Sequence, residues 1–322
     1  MFRVLLLSLL ISTSLTAQRL AVFEGKAQGT YYIVKCLAAD TLSLQAGIDS
    51  IFAGIDQSLS LYKPGSLINQ FNEGDSVRMD DHMKAVITKS LYISKVTNGA
   101  FDITVKPLVD VWGFGVKRPV KQTVPSNEVL QQVLKHVGYK HLKVEGDWLI
   151  KKTAGVEIDC NGIAQGYTSD VIARFLEQKG IRNYLVDVGG ELCSKGHNQH
   201  QKIWTVGIER PGDELQAILQ LPDLAITTSG NYRRFFEEGG TRFAHTIDPV
   251  SGQALHSNIV SVTVIAKDAI TADGFDNALI LMGVKKAMKF VKRHPELDVY
   301  FIYKDGEIRE LFSPGFKKLL NM

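Results

Sequence analysis

Hydrophobic residues follow a helical spacing in several separate stretches of the chain. From Leu44 to Leu59, apolar residues recur every three or four positions, which is typical of an amphipathic helix. Asp81 is the expected N-cap of a second helix that stops at Asn98-Gly99, and Ser126 caps a third that closes at Gly138. Helices are therefore predicted over 44–59, 81–97, 127–137, 163–179, 271–282 and 284–294.

β-Branched and aromatic runs predict strands, most of them in the second half of the chain. A hairpin is expected over 141–152 with its turn at Gly146-Asp147. Further strands are predicted over 184–188, 204–208, 218–221, 259–266 and 299–303. Because strands and helices alternate without a regular βαβ repeat, we expect an α+β fold in which mixed or antiparallel sheets pack against helices.

Residues 1–17 have the pattern of a secretory signal peptide. Arg3 supplies a positive charge, residues 4–11 are apolar, and small residues close the segment. The apolar run is shorter than the roughly 20 residues that a membrane span needs. Gln18, not a Cys that could carry a lipid, follows the expected cleavage point. We predict an exported periplasmic or cell-envelope protein whose residues 18–322 form one domain; an uncleaved amphipathic anchor is the alternative.

Composition narrows the class of protein without naming a function. The 322 residues are 45% hydrophobic and 22% charged, as in ordinary globular proteins. A net charge of +3 gives no strongly basic surface, so nucleic acid is not an expected partner. Three Cys are too few for a disulfide framework, and no His/Cys spacing matches a zinc site. Both an enzyme and a binding protein remain open at this point.

The segment Thr271-Ala-Asp-Gly-Phe-Asp-Asn277 is a candidate cation site. On a helix, Asp273 and Asn277 lie on one face and Asp276 is adjacent to both. Carboxylate and amide oxygens presented together suit a hard cation such as Mg²⁺. The alternative is that Asp273 caps the helix and Asp276 is only solvated.

The segment Glu157-Ile-Asp-Cys-Asn-Gly-Ile-Ala-Gln-Gly-Tyr167 is a candidate phosphate site. We expect a strand that runs into a glycine-containing loop and then a helix, whose first backbone N–H groups can bind phosphate. Asp159 would end the strand and orient a polar ring edge or a nucleophile. Glycines that only allow close packing of strand and helix explain the pattern equally well. Cys160 and Cys193 are predicted to be core residues.

Three further features carry candidate chemistry. Thr227-Thr-Ser-Gly-Asn-Tyr232 is predicted as a polar loop. His245 and Asp248 precede a turn, where a general base or a phosphate ligand is possible. Tyr62 and Phe101 are candidates for holding a planar ring between them. A purely structural role is the alternative for the His and for both aromatic residues.

Several short motifs follow one another in a specific order. They are Gln28-Gly-Thr-Tyr, Ser60-Leu-Tyr-Lys-Pro-Gly-Ser66, Gly99-Ala-Phe-Asp-Ile-Thr-Val-Lys-Pro-Leu108, Trp112-Gly-Phe-Gly115, Ile158-Asp-Cys-Asn-Gly-Ile-Ala-Gln-Gly-Tyr167, Asp187-Val-Gly-Gly190, Thr228-Ser-Gly-Asn-Tyr232, His245-Thr-Ile-Asp-Pro249 and Ala272-Asp273. In this order they resemble the FAD:protein FMN transferases, the ApbE family, over roughly residues 20–310.

The resemblance implies an ApbE-like, T-fold-related architecture and a Mg²⁺-dependent reaction. Members of the family transfer the FMN moiety of FAD to a Thr or Ser hydroxyl of an acceptor protein, making a phosphoester and releasing AMP. Their acceptors are subunits of redox-driven sodium pumps and related electron-transfer proteins with an Asp-Gly-Ala-Thr-like sequence. The implied metal ligands are the Ala164 carbonyl and Asp273, with Asp276 adjacent and Asn277 standing where the family usually has Thr.

The resemblance also implies which residues bind FAD. They are Gln28, Tyr62, Ala100, Phe101, Asp102, Asp159, Asn161, Gln165, Ser229, Gly230, His245 and Ile247. Gln28 stands where many members have Met, and Gln165 where Lys or Glu is frequent. His245 and then Asp248 are the candidates for the base that activates the acceptor hydroxyl. The alternatives are a Mg²⁺-dependent FAD pyrophosphatase, with water as nucleophile, and a non-catalytic flavin-binding envelope protein; the oligomeric state is left open.

Overall fold

The computed structural model describes residues 18–39, 41–116, 119, 122–210, 214–230, 235–255 and 258–320. The predicted signal peptide at 1–17 lies outside the described residues. The helices are α1 (Leu42–Leu59), α2 (Leu67–Glu73), α3 (Asp81–Val96), α4 (Lys106–Val111), α5 (Asn127–Val133), α6 (Ala164–Gln178), α7 (Ala269–Val291) and α8 (Pro314–Leu320). In the described part of the chain, none of the helices is both long and apolar enough to cross a membrane.

The strands form one large sheet and three small ones. They are β1 (Arg19–Ala27), β2 (Thr30–Ala38), β3 (Ser76–Arg78), β4 (Leu142–Glu145), β5 (Trp148–Lys151), β6 (Tyr184–Val188), β7 (Glu191–Lys195), β8 (Thr205–Arg210), β9 (Glu214–Gln220), β10 (Ala225–Gly230), β11 (Phe235–Glu238), β12 (Thr241–Ala244), β13 (Ile259–Ala266), β14 (Asp298–Asp305) and β15 (Glu307–Phe312). The large sheet has the order β1-β2-β6-β7-β10-β13-β14-β15, and its neighbours pair antiparallel. The small sheets are β3-β5-β4, β8-β9 and β11-β12. The expected α+β class is confirmed.

Helices α1, α6 and α7 cover one face of the large sheet. Apolar residues of α1, including Ile48 and Phe52, share a buried cluster with Val34 of β2 and Ile172 of α6. Helix α7 packs against α6, β10 and β13. This arrangement sets the first turn of α6 beside the first half of α7, with α6 over β6 and β7 and α7 over β10 and β13.

Most predicted helices are present, with small differences at their ends. Asp80, not Asp81, caps α3, since its carboxylate accepts the N–H of Met83. Ser126 caps α5 as expected. The two helices predicted near 271–282 and 284–294 form α7, which is broken at Gly283 because this residue has φ of 72°. Asp268 caps α7, so Asp273 is not the helix cap.

Three sequence-based predictions of local structure were wrong or incomplete. The hairpin β1–β2, which begins the large sheet, was not predicted. The segment at 227–230, expected to be a polar loop, belongs to strand β10. Residues 156–163 form no strand before α6. The prediction that Cys160 and Cys193 are core residues is confirmed, and both are free thiols, as is the buried Cys36.

Candidate functional site

The start of α6 and the first half of α7 meet in direct contact. The backbone N–H of Gly166 donates a hydrogen bond to Oδ2 of Asp273 over 2.8 Å. A Cβ on residue 166 would come within 2.4 Å of the Ala269 carbonyl oxygen and 2.7 Å of the Asp273 Cβ. Glycine is therefore required for this close approach. The two segments that the sequence predicted as phosphate and cation sites lie together.

The carbonyl of Ala164 lies at the start of α6, next to the turn between β1 and β2. Thr168 Oγ1 donates to this carbonyl oxygen over 2.7 Å. Gln28, in the β1–β2 turn with φ of 52°, donates from Nε2 to Thr168 Oγ1 over 3.0 Å. Ile163, the N-cap of α6, makes no side-chain capping bond. The first turn of α6 therefore presents backbone groups at a polar corner, with Gln28 on one side.

Two side chains of α7 contact the polar face of β10. Ser229 Oγ donates to Oδ1 of Asn277 over 3.3 Å, and Thr227 Oγ1 donates to Oδ2 of Asp276 over 3.1 Å. Nδ2 of Asn277 lies 3.1 Å from the position of a Cβ on Gly162. Asn277 therefore lies between β10 and the loop that precedes α6, on the same face of α7 as Asp273.

Three buried carboxyl groups, those of Asp273, Asp276 and Glu191, lie close together and have raised pKa values. Burial raises the pKa of Asp273 to about 7, although the N–H of Gly166 partly offsets this. The pKa of Asp276 is well above its usual range because of burial and the charge of Asp273. Burial, together with the charges of Asp273, Asp276 and Asp187, likewise raises the pKa of Glu191. Ionising all three carboxyl groups together costs much free energy unless a cation lies beside them.

Glu191 is a site residue that the sequence reasoning missed. It directly follows the Asp187-Val-Gly-Gly190 motif, so extending that motif by one position would have found it. Its backbone carbonyl accepts the Ser169 hydroxyl over 2.6 Å, which ties β7 to α6. Gly189 lies against Thr30 and Gln165, and a Cβ there would meet Thr30 Cγ2 at 2.7 Å. Thr168 was missed as well, since a single threonine carries no distinguishing pattern.

The donor set fits a hard divalent cation. Oδ1 of Asp276 and Oε2 of Glu191 are buried and have no hydrogen-bond partner. The Ala164 carbonyl, the Asp273 carboxylate and the Asn277 amide oxygen are all ligand types that Mg²⁺ accepts. Among the described residues, no three His, Cys, Asp or Glu side chains form a metal cluster by themselves. A cation here would therefore depend on backbone and amide oxygens as well as on carboxylates.

The predicted flavin-binding residues at 100–102 and 159–161 lie on neighbouring segments beside this corner. Phe101 is buried, and its Cε2 lies 3.8 Å from the position of a Cβ on Gly162. Asp102 is also buried, and its carboxylate accepts the N–H and hydroxyl of Thr104 at 2.9 and 2.6 Å and the N–H of Tyr139 at 2.5 Å. The Asp102 carboxylate thus joins its own loop to the segment at Tyr139, and a contact of Asp102 with FAD stays a prediction.

The segment from Ile158 to Asn161 is held from two sides. Asn72 donates from Nδ2 to the Ile158 carbonyl over 3.0 Å and accepts the Ile158 N–H at Oδ1 over 2.7 Å. The N–H of Asp159 donates to the Ile103 carbonyl over 2.7 Å, and its carboxylate accepts the N–H of Asn161. Burial raises the pKa of Asp159. Asn161 is exposed and its side chain also hydrogen-bonds the Asp159 carboxylate, and contact of Asn161 with a ligand stays a prediction.

The remaining predicted residues lie in two outer segments. Tyr62 is 63% exposed on the loop after α1 and Phe101 is buried, and a planar ring held between them stays a prediction. His245 follows β12 and contacts Phe114 edge-on, with ring centroids 6.5 Å apart. Both carboxylate oxygens of Asp248 accept hydrogen bonds within its own turn, Oδ1 from the Val250 N–H and Oδ2 from the Ser251 hydroxyl. This favours His245 over Asp248 as the base.

Ala100, Gly230 and Ile247 complete the predicted set. Ala100 and Gly230 are half-buried, and Gly230 ends β10 one residue after Ser229. Ile247 is buried and bridges to Ala254 across the turn that contains Asp248. Contact of these residues with a ligand stays a prediction.

Known proteins resemble this chain over nearly its whole described length. The model of the ApbE family matches residues 28–301. The FAD:protein FMN transferase of Escherichia coli K12 is 37% identical over 318 residues, covering 94% of this chain and 90% of that protein. The FAD:protein FMN transferase of Vibrio cholerae is 35% identical, covering 92% of each chain.

Solved structures agree with these sequence matches. The flavin transferase ApbE from Vibrio cholerae superposes with a TM-score of 0.87 at 33% identity, covering 94% of this chain and 100% of that chain. The apo form of the Pseudomonas stutzeri flavinyl transferase ApbE gives a TM-score of 0.88 at 31% identity, covering 96% and 99%. The sequence motifs, the fold and the contact between α6 and α7 therefore lead to one conclusion: the chain belongs to the ApbE family.

Proposed function

We propose that this protein transfers the FMN moiety of FAD to a Thr or Ser hydroxyl of an acceptor protein and releases AMP. The observation that carries the proposal is the contact between the α6 start and α7, which brings Ala164, Asp273 and Asn277 to one polar corner. Relatives that match over nine-tenths of this chain are FAD:protein FMN transferases.

We propose Mg²⁺ as the metal, held by the Ala164 carbonyl, Asp273 and Asn277, with Asp276 and Glu191 behind them. The raised pKa values of the three carboxyl groups and the two unpartnered buried oxygens support a cation at this corner. When bound, such a cation neutralises charge on the diphosphate of FAD and polarises the phosphorus that is attacked.

The protein's own residues orient the reactants and move a proton. The N–H groups of Ile163, Ala164, Gly166 and Tyr167 are already bonded within the protein, so the diphosphate would be held mainly through the cation. Phe101 and Tyr62 border the flavin. His245 accepts the proton of the acceptor hydroxyl on an imidazole nitrogen as the new O–P bond forms to the FMN phosphorus. The bond from the FMN phosphorus to the bridging oxygen of the diphosphate breaks, and AMP leaves with that oxygen. General-base assistance of this kind contributes roughly 10²–10⁴-fold.

The decisive experiment combines purified protein, FAD, Mg²⁺ and an acceptor protein that carries a single reactive Thr. We expect yellow in-gel fluorescence on the acceptor and a mass increase equal to FMN minus water. Free FMN and AMP with an unlabelled acceptor would instead identify a FAD pyrophosphatase. FAD that stays bound and unchanged would identify a flavin-binding protein.

The cellular setting is also part of the proposal. The signal-like pattern of residues 1–17 supports export to the periplasm or cell envelope. Acceptors there would be subunits of flavin-dependent redox pumps or electron-transfer complexes with an Asp-Gly-Ala-Thr-like motif. Fractionation of cells that express the full chain, followed by mass spectrometry of its first residues, tests the location and cleavage before Gln18.

A further inference from the structure

Tyr62 combines an exposed ring with a backbone that is held in place. The ring is 63% exposed, whereas the preceding residue, Leu61, is buried. The loop from Ser60 to Ser66 that carries Tyr62 is closed by hydrogen bonds, one of which runs from Ser66 Oγ to the Ser60 carbonyl over 2.8 Å. An exposed aromatic ring on a fixed loop is suited to bind a planar ligand at little cost in conformational entropy.

Asn69 fixes the backbone on both sides of Tyr62. Its Nδ2 donates to the Leu61 carbonyl over 3.3 Å and to the Lys63 carbonyl over 3.0 Å. These carbonyls belong to the residues immediately before and after Tyr62, and the two bonds use both protons of the amide nitrogen. One side chain therefore determines where the backbone of Tyr62 lies.

Asn69 and Asn72 join two segments of the candidate site to the same helix. Both belong to α2 and are three residues apart, so they are neighbours on its surface and differ by about 4.5 Å along the axis. Asn72 makes two hydrogen bonds with the backbone of Ile158, where the second segment begins. That segment leads into Gly162, which lies beside the Phe101 ring. Helix α2 thus connects the Tyr62 loop to the expected FAD-binding residues.

Helix α2 is a rigid support for both contacts. Ile68 and Phe71 are fully buried, and the Ser66 side chain caps the first turn of the helix. A short helix that is anchored in the core and capped in this way has little freedom to move. It therefore sets the distance between the Tyr62 ring and the segment that Asn72 holds.

We propose that Asn69 is a positioning residue for FAD, because it holds the Tyr62 ring at the distance from the Asn72-bound segment that the flavin requires. Asn69 acts through Tyr62 and not through the polar corner formed by α6 and α7. The inference rests on the proposed function, since it takes the flavin as the planar ligand that Tyr62 meets. It assigns a role in FAD binding to a side chain whose own hydrogen bonds go to protein backbone.

The test is a double-mutant cycle of Asn69→Ala and Tyr62→Ala. FAD is titrated into the purified protein with Mg²⁺ and without acceptor, and the change in flavin fluorescence gives its Kd. We expect Asn69→Ala to raise the Kd for FAD about three- to tenfold, since the loop must then be ordered on binding. In the Tyr62→Ala background the same substitution should change the Kd by less than about twofold, because its effect passes through the ring.

Gln70→Ala is the matched control on the same helix and the same loop. Gln70 Nε2 donates to the Gly65 carbonyl over 2.9 Å, and this carbonyl keeps a second donor in Gln57 at 3.1 Å. The Kd of this variant for FAD should equal that of the wild type. If Asn69→Ala does not fold, Asn69→Ser takes its place in the cycle, since it leaves space for a water between the two carbonyls.

Transfer assays at saturating FAD complete the test. The kcat of the Asn69 variant should lie within about twofold of the wild-type value, because a looser loop weakens binding but leaves the reacting groups in place once FAD is bound. An unchanged Kd for FAD in the Asn69 variant overturns the proposal. An equal rise in Kd with and without the Tyr62 ring also overturns it, since it indicates a general loosening of the fold. A wild-type protein that binds FAD but labels no acceptor contradicts the proposed transfer, while the FAD affinities still decide the role of Asn69.

Discussion

At the scale of single residues, the approach of α6 to α7 depends on the missing side chain at position 166. Gly166→Ala places a Cβ 2.4 Å from the Ala269 carbonyl oxygen, so the helices must separate. We expect a loss of about 1–3 kcal/mol in unfolding free energy, as for other overpacked sites, together with weaker FAD binding. Denaturant unfolding and FAD titration measure both effects.

Gly54 in α1 provides the matched control for Gly166. A Cβ on Gly54 meets nothing closer than His82 Nε2 at 3.5 Å, which is an ordinary contact. Gly54→Ala should therefore stabilise the protein by about 0.5–1 kcal/mol, because alanine has the higher helix propensity. Equal destabilisation by the two substitutions would contradict a specific packing role for Gly166.

Asp273 combines a structural contact with the proposed metal-binding role. Asp273→Asn keeps an oxygen for the Gly166 N–H but removes the negative charge. We expect transfer to fall on the order of 100-fold or more, because the metal that Asp273 would hold supplies several kcal/mol of charge stabilisation in the transition state. Asp305→Asn is the control, since Asp305 is 63% exposed and pairs with Arg309 at the far edge of the large sheet. Transfer rates at several Mg²⁺ concentrations would separate weaker metal binding from a damaged fold.

Asp170 is a buried carboxylate whose titration should be visible in stability. Its two oxygens accept the N–H groups of Ala269 and Ile270 at the start of α7, and burial raises its pKa to about 6. Because the folded pKa exceeds the unfolded value of 3.8, its stabilising contribution is complete below about pH 3.8 and is lost as the pH rises through 6. Between about pH 4.5 and 7.5 this amounts to about 2 kcal/mol.

The measurement compares the wild type with Asp170→Asn. The unfolding free energy of the wild type, relative to that of the variant, should increase by about 2 kcal/mol when the pH is lowered from about 7.5 to about 4.5. Titrating groups that Asp170 does not affect cancel in this difference, and Asp273, whose pKa the charge of Asp170 raises, adds a smaller contribution of its own. If the unfolding free energy of the wild type instead falls relative to that of the variant on acidification, the hydrogen bonds of Asp170 keep its carboxylate ionised.

At the scale of secondary structure elements, the sequence predicted the helices better than the strands. Helix α1 has a regular apolar face, and Ser126 and Gly180 marked real helix ends. Strand β10 was mistaken for a loop because Thr227 and Ser229 face the polar side chains of Asp276 and Asn277. Strand β1 lacks a clear alternation because its exposed face carries the apolar Leu20 and Val22 beside the charged Glu24 and Lys26.

The pairing between Asn72 and Ile158 is the contact that replaces a strand before α6. The Asn72 amide makes two hydrogen bonds with the backbone of Ile158, as a neighbouring strand would. Asn72→Asp keeps the acceptor for the Ile158 N–H but leaves the Ile158 carbonyl facing a carboxylate. We expect a loss of about 1–3 kcal/mol in stability and a higher KM for FAD, with the acceptor KM unchanged. An unchanged KM for FAD would limit Asn72 to a stabilising role.

At the scale of the whole molecule, the site is assembled from segments that are far apart in sequence. Gln28, Ala164, Glu191 and Asp273 come from a hairpin turn, two helices and a strand of the large sheet. Local patterns predicted candidates in each segment, and the resemblance to a family indicated that they belong together. Glu191 was missed because its proximity to Asp273 and Asp276 arises only when β7 lies beneath α7, which no local pattern encodes.

Because the site joins segments from residue 28 to residue 277, its ligands should stabilise the entire fold. We expect FAD and Mg²⁺ together, at about 100 times Kd, to add about 2.7 kcal/mol to the unfolding free energy and to raise the melting temperature by several degrees in one transition. EDTA should remove most of this increase, since the three carboxyl groups then repel one another and the diphosphate. Asp273→Asn should respond to FAD much less than the wild type does. If the melting temperature with FAD changes neither with EDTA nor with Asp273→Asn, FAD binds without the metal and without Asp273. In that case flavin binding does not depend on the contact between α6 and α7.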